Sequence, residues 1–294
     1  MLKTGLQKEF MYLSRTGKLV GVIIAMLVFA LCDGLMLKAT TMMMDTMATT
    51  VEQQAQNIND GSETAAEFNE IASSMNTLTN VYKDMDAPYV TASSIMDISG
   101  LGILITLLVI KSACGGEQKK RSVVIPRCAG LTPKMYIMPK FILYPAIIFV
   151  LAFLAVFISG GMAVLLFEGS VPFTNLLVSG LCLGVYLAFV MILMLTLGIC
   201  TAKPGVSVIL VLVMVNILPT LLASYRVDRF NPFALPNIIS NSVMAGGDLS
   251  ASLDVLNLSV SLGVTVVLSA ILYFVTLFAI SAKEVRNEGN EPVL

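Results

Sequence analysis

Six long apolar runs, separated by polar connections of very unequal length, organise this chain. They cover residues 19–37, 95–114, 141–167, 174–200, 206–225 and 256–280. A helix rises about 1.5 Å per residue, so roughly 20 residues cross a hydrocarbon core. Every run meets that length, the second and fifth narrowly, while the third and fourth are long enough to tilt. The pattern predicts an all-α, polytopic membrane protein with six transmembrane helices.

The polar connections carry their own periodicity. In residues 1–18, Leu2, Leu6, Phe10 and Leu13 fall on one helical face, and Lys3, Gln7, Lys8, Arg15 and Lys18 lie mostly on the other. That is the pattern of an amphipathic helix lying on a membrane surface. Residues 38–94 read as a helical hairpin. Met44, Met47, Val51, Gln54 and Ile58 follow heptad-like spacing, as do Phe68, Ile71, Met75, Leu78, Tyr82 and Met85. A turn composition, Asn57 to Ser62, separates the two series, and Thr64 with Glu67 fits a capping box for the second arm. The seam serves packing within the hairpin, or pairing with a second copy or a partner chain. The hairpin has too little core for an enzyme domain.

Charge gives orientation. All basic residues except Lys38, Lys83, Arg226 and Arg229 fall in the first, third, fifth and seventh polar segments. Basic residues near span ends are retained in the cytoplasm, so both termini are expected there and the hairpin outside. The net charge of −1 conceals this sorting and gives no footing for nucleic acid. The inner cations would meet membrane lipids. The outer segments hold no cysteine, which excludes an external disulfide framework. The first run is longer than a signal-peptide core and no small-x-small site follows it, so it is read as a retained span.

Much chemistry is excluded. The chain has no histidine, no metal-site cysteine spacing and no phosphate-binding GxxxxGK[ST] loop. It is therefore expected to be no enzyme and to bind no cofactor or metal itself. Asp33 is the only acid read as lying well inside a span, near its outer end. Gly180 and Gly184, continued by Ala188, form a small-residue face for close helix packing. Pro145 and Pro219 are positioned to kink the third and fifth spans. Asn216, one turn before Pro219, should face protein or water.

Four stretches together resemble the membrane subunits of ABC-2-type ATP-binding-cassette exporters. Lys8-Glu9-Phe10 sits in a surface helix before the first span. Glu117 opens a basic stretch after the second, and Gly130-Leu131-Thr132-Pro133 leads through Lys140 into the third. Asn231-Pro232-Phe233 begins an apolar-polar segment, 226–255, before the sixth. The resemblance covers almost the whole chain as layout, through motifs that are individually weak. It implies a permease subunit in a cell membrane, of bacterial type, powered by ATP through a separate ATPase and working beside a second permease copy. The segment 115–140 would be the cytoplasmic coupling loop, with Glu117, Lys119, Lys120 and Arg121 contacting the ATPase. Asn231, Pro232 and Phe233 would open a re-entrant external segment, and spans 2 and 5 would line a path for a lipid, peptide or antibiotic. The competing readings are a secondary transporter or channel, and a membrane sensor or scaffold with the hairpin as antenna.

Overall fold

The computed structural model describes residues 2–57, 63–104, 107, 133–201, 203–224, 230–244 and 255–288. Among them there is no strand. The helices are α1 (Leu2–Arg15), α2 (Lys18–Asn57), α3 (Glu63–Lys83), α4 (Ala87–Asp97), α5 (Pro133–Leu166), α6 (Phe173–Thr201), α7 (Pro204–Ser224), α8 (Leu235–Met244) and α9 (Val255–Glu288). A π-helical turn, Ile98–Gly102, continues α4, and a 3₁₀ turn, Pro232–Ala234, precedes α8.

Among the described residues four helices, α2, α5, α6 and α9, are long and apolar enough to cross a membrane. A shorter apolar stretch, Gly205–Leu221, lies in α7. Of the expected second span, 95–114, only the residues to 104 and Leu107 are described. The expected boundary at residue 38 is not a break: α2 runs unbroken for 40 residues, about 60 Å. Its far half pairs with α3, which returns alongside it. Asn76 Nδ2 donates to Glu52 Oε1 at 2.6 Å and Thr79 Oγ1 reaches the Met44 carbonyl at 3.5 Å.

Helix α6 is the hub. Of its most apolar window 67% is buried, against 22%, 33% and 17% in α2, α5 and α9. It packs on α5, α9, α7 and α8. The outer helices show apolar side chains on their free faces, up to Phe278 in α9 at 77% exposed. In hydrocarbon this costs nothing, because lipid tails are as apolar as the side chains; close packing and a few polar contacts must then specify the arrangement.

The tightest packing lies along α5–α6. A Cβ added at Gly180 would stand 3.0 Å from Phe153 Cδ2, and one at Gly184 2.8 Å from Phe149 Cδ2 and 3.2 Å from the Phe149 carbonyl oxygen. Two phenylalanine rings therefore press against bare helix backbone. Between α6 and α9, Thr276 Oγ1 donates to Thr196 Oγ1 at 3.1 Å, both residues buried, and Thr196 Oγ1 reaches the Leu272 carbonyl at 3.5 Å. Pro139 and Pro145 lie inside α5, and Pro219 inside α7.

Gly184→Ala should destabilise the protein by about 1–3 kcal/mol through overpacking. Gly263→Ala, where an added Cβ meets nothing within 4 Å, should be neutral or slightly stabilising. Thermal unfolding of the two variants in the same detergent would check both outcomes.

Candidate functional site

Two places gather charged side chains against the spans, one at the base of α5 and one at its opposite end. At the base, α1 crosses α5 in close contact. A Cβ at Gly5 would lie 2.7 Å from Pro139 Cγ, so the smallest residue in α1 marks the crossing point. One turn further, Glu9 is 3% exposed and Lys140 1%. Lys140 Nζ stands 3.5 Å from Glu9 Oε1, and the Tyr144 hydroxyl donates to Glu9 Oε2 at 3.2 Å. Lys8 Nζ approaches the same carboxylate from the exposed side at 3.8 Å. Burying two charges is costly in itself; the pair's contribution is registry, since a shift of α1 along α5 would strand both.

This geometry adds a protein contact to the surface-helix reading of α1. Leu13 is buried against the bundle, and Phe10, on the same apolar face, is 49% exposed, as a residue facing lipid would be. The face against protein runs along Gly5, Glu9 and Leu13, and Phe10 and Met11 point away from it. Helix α1 turns into α2 at Gly17, whose φ of +70° lies in the left-handed region. Lys18 Nζ then folds back to Tyr12, donating to its hydroxyl at 2.8 Å and lying 4.5 Å from its ring centroid. The coupling candidates Glu117, Lys119, Lys120 and Arg121 lie outside the described residues.

Within the spans, Asp33 has company. Ser94 of α4 donates to Asp33 Oδ2, and the Asp97 carboxyl, one turn on, lies near enough to Asp33 for their charges to interact. Asp97 is the third residue of the second apolar run, and its pairing with Asp33 depends on α2 and α4 being neighbours.

Asn231, Pro232 and Phe233 are brought into the interior. Asn231 Oδ1 accepts from the Phe233 N–H at 3.0 Å, and its carbonyl accepts from Ser261 Oγ of α9 at 3.2 Å. Phe233 meets Phe189 of α6 edge-on, ring centroids 5.6 Å apart. Helix α8 then packs on α4, with Ser240 Oγ donating to the Ala92 carbonyl at 3.2 Å. Asn231 Nδ2 is buried with no hydrogen-bond partner.

The other sequence candidates fall elsewhere. Gly180 and Gly184 face α5, as described; Ala188, the third of that series, is partly buried. Pro145 is buried in α5, close to Lys140 in sequence. Asn216 is exposed on α7 and returns one N–H to the Leu212 carbonyl at 2.8 Å, and Pro219 is partly buried one turn on. The structure therefore separates Asn216 from the buried groups at both ends of α5.

At the opposite end of α5 a cleft of about 500 Å³ opens between Lys38, Thr41, Met42 and Asp45 of α2, Met85, and Leu165, Leu166, Phe167 and Glu168 after α5. Its floor is fixed: the Ala87 N–H donates to the Glu168 carbonyl at 2.9 Å, and the Asp86 side chain caps α4 by accepting from the Tyr89 N–H at 3.0 Å. Lys38 Nζ lies 5.3 Å from the Phe167 ring centroid. A cavity of about 10 Å³, lined by Met26, Ile103, Leu107, Ile148, Leu187, Val190 and Met191, is apolar and holds a water at most.

Comparison with protein-family models, curated proteins and solved structures finds no match.

Sequence reasoning named Glu9 only as part of a motif and Lys140 only as the end of the stretch leading into the third span; burial of the pair was missed. A detectable signal was present, since Lys140 stands between Pro139 and Phe141 with apolar neighbours beyond. Glu9→Ala should cost about 3–5 kcal/mol by removing a carboxylate from beside a buried ammonium. The reversed pair, Glu9→Lys with Lys140→Glu, should recover part of the loss, read as apparent melting temperature in detergent.

Proposed function

We propose that this chain is the permease subunit of an ABC exporter of the ABC-2 type. In this reading it has six spans, cytoplasmic termini and α2–α3 projecting outside a cell membrane of bacterial type. The observation that carries the reading is the buried Glu9–Lys140 contact, closed by Tyr144. It fastens an amphipathic surface helix to the base of a long span directly after the basic segment 115–132. A push delivered to that segment would then pass into both α1 and α5 together. The buried Asn231–Phe233 turn and α8 before the last helix support the same layout, as a segment folded back into the bundle.

A partner ATPase would bind ATP and drive the movement, since the chain has no phosphate-binding loop of its own. A second permease copy would complete the pathway. A hydrophobic or amphipathic cargo suits such a path.

The neighbouring acids Asp33 and Asp97 favour a second reading, transport driven by a proton gradient in this chain alone. One reconstitution separates the two. With a co-purified ATPase, flux in proteoliposomes should require ATP, and Glu117→Ala with Lys120→Ala should cut flux at least several-fold while the chains remain associated. Flux from this chain alone under an imposed pH gradient, abolished by Asp97→Asn, would reject the ABC reading.

A further inference from the structure

The outer face of α7 carries a polar group where hydrocarbon offers it nothing. Ser207, Val208, Val211 and Val215 are buried, and α7 packs on α6. On the other side Val206, Ile209, Val213, Asn216 and Thr220 are all exposed. Their spacing, alternately three and four residues, is that of a heptad seam. At about 100° per residue the five fall within roughly 80° of one another around the helix. Asn216 lies about 20 Å along the axis from Lys203, near the middle of a hydrocarbon core about 30 Å thick. Its side chain has two N–H groups and a carbonyl. One N–H returns to the Leu212 carbonyl at 2.8 Å; the other N–H and Oδ1 have no partner among the described residues. The lipid-facing sides of the longer helices look different. Over residues 142–165 of α5 and 263–278 of α9, every exposed residue is apolar or glycine. An amide left unsatisfied among lipid tails is costly, so something polar must meet Asn216.

We propose that this face of α7 packs on the same face of a second copy of this chain, about a two-fold axis along the membrane normal. Two copies inserted in one orientation place their α7 helices parallel, so each seam residue meets its own counterpart. The amide is self-complementary. The remaining N–H of each Asn216 donates to Oδ1 of the other, and one symmetric pair satisfies both. A charged side chain at this position would instead repel its own copy. Ile209 and Val213 flank the pair; both are β-branched and already restricted in a helix, so packing costs them little freedom. This seam would seat the second copy that the exporter reading calls for, and it rests on that reading for α7 crossing the bilayer. It requires neither an ATPase nor a cargo.

The test is single-molecule photobleaching of the full chain, labelled on an appended tag and reconstituted alone in proteoliposomes over a range of protein-to-lipid ratios. The dimer fraction of the unsubstituted chain should rise with that ratio. Asn216→Leu should weaken dimerisation about tenfold, the scale of an interhelical amide pair in a membrane. Asn216→Gln, which keeps both polar groups, should retain most of the affinity. Ala270→Leu, on the exposed face of α9, should leave it unchanged. The melting temperature of Asn216→Leu in detergent should match that of the unsubstituted chain, because only an exposed group is lost. Under oxidation, Val213→Cys should give a disulfide-linked dimer above the level of the unsubstituted chain, and Phe274→Cys of α9 should not. Dimers of Asn216→Leu as tight as those of the unsubstituted chain would overturn the proposal, as would linkage through Phe274→Cys in place of Val213→Cys. Rapid labelling of Asn216→Cys by a membrane-impermeant maleimide would overturn it too, because water would then be satisfying the amide. Monomers at every ratio would also sink the seam, yet leave the exporter reading standing with a different permease chain beside this one. That reading is decided separately, by flux with the co-purified ATPase.

Discussion

The α5–α6 seam is the contact on which the rest of the bundle hangs. Phe149 and Phe153 reach bare backbone at Gly184 and Gly180, so the two helices approach as closely as side chains allow. In hydrocarbon no water is released by bringing two apolar helices together, and attraction has to come from contact itself. Dispersion falls away within an ångström of optimal separation, so close approach is what makes a membrane seam hold. Once α6 is fixed against α5 it presents its other faces to α7, α8 and α9, and the buried turn at Phe233 rests on Phe189.

Polar groups then decide register where apolar packing is permissive. Thr196 with Thr276 joins α6 to α9, Ser261 with the Asn231 carbonyl joins α9 to the turn before α8, and Ser240 with the Ala92 carbonyl joins α8 to α4. The strongest such pin is Glu9 with Lys140, because a buried charge cannot drift from its partner without an unpaired ion being left behind. Helix α5 thereby links two charged regions at its two ends: a sealed one beneath α1 and an open one around Lys38, Asp45 and Glu168. The first resists movement of α1 relative to the span.

Much of the helical content was legible in the sequence. Apolar runs of membrane length identified α2, α5, α6 and α9, and the turn composition from Asn57 to Ser62 lies between α2 and α3. The join between the first span and the external arm was drawn at residue 38, where hydropathy changes; the helix does not stop there, since backbone hydrogen bonding continues regardless of what surrounds it. The face of α1 was read from its leucines and Phe10, yet Glu9 is the buried residue. Amphipathicity reports which side avoids water, and here lipid and protein compete for the apolar side. Asp97 was invisible as a partner of Asp33 because the two are far apart in sequence and meet only when α4 packs on α2.

Sequence alone determined the class of solvent, because hydrophobic length and the sorting of lysine and arginine act locally and need no neighbour. It also marked the close-approach face at Gly180 and Gly184, since only glycine leaves backbone bare. Tertiary structure decided which charges are buried together, which are held apart, and where an amphipathic cleft opens. Those outcomes depend on helix azimuth and crossing point. In a bilayer, apolar side chains are nearly indifferent to azimuth, so it is set by contacts between residues that the chain keeps far apart.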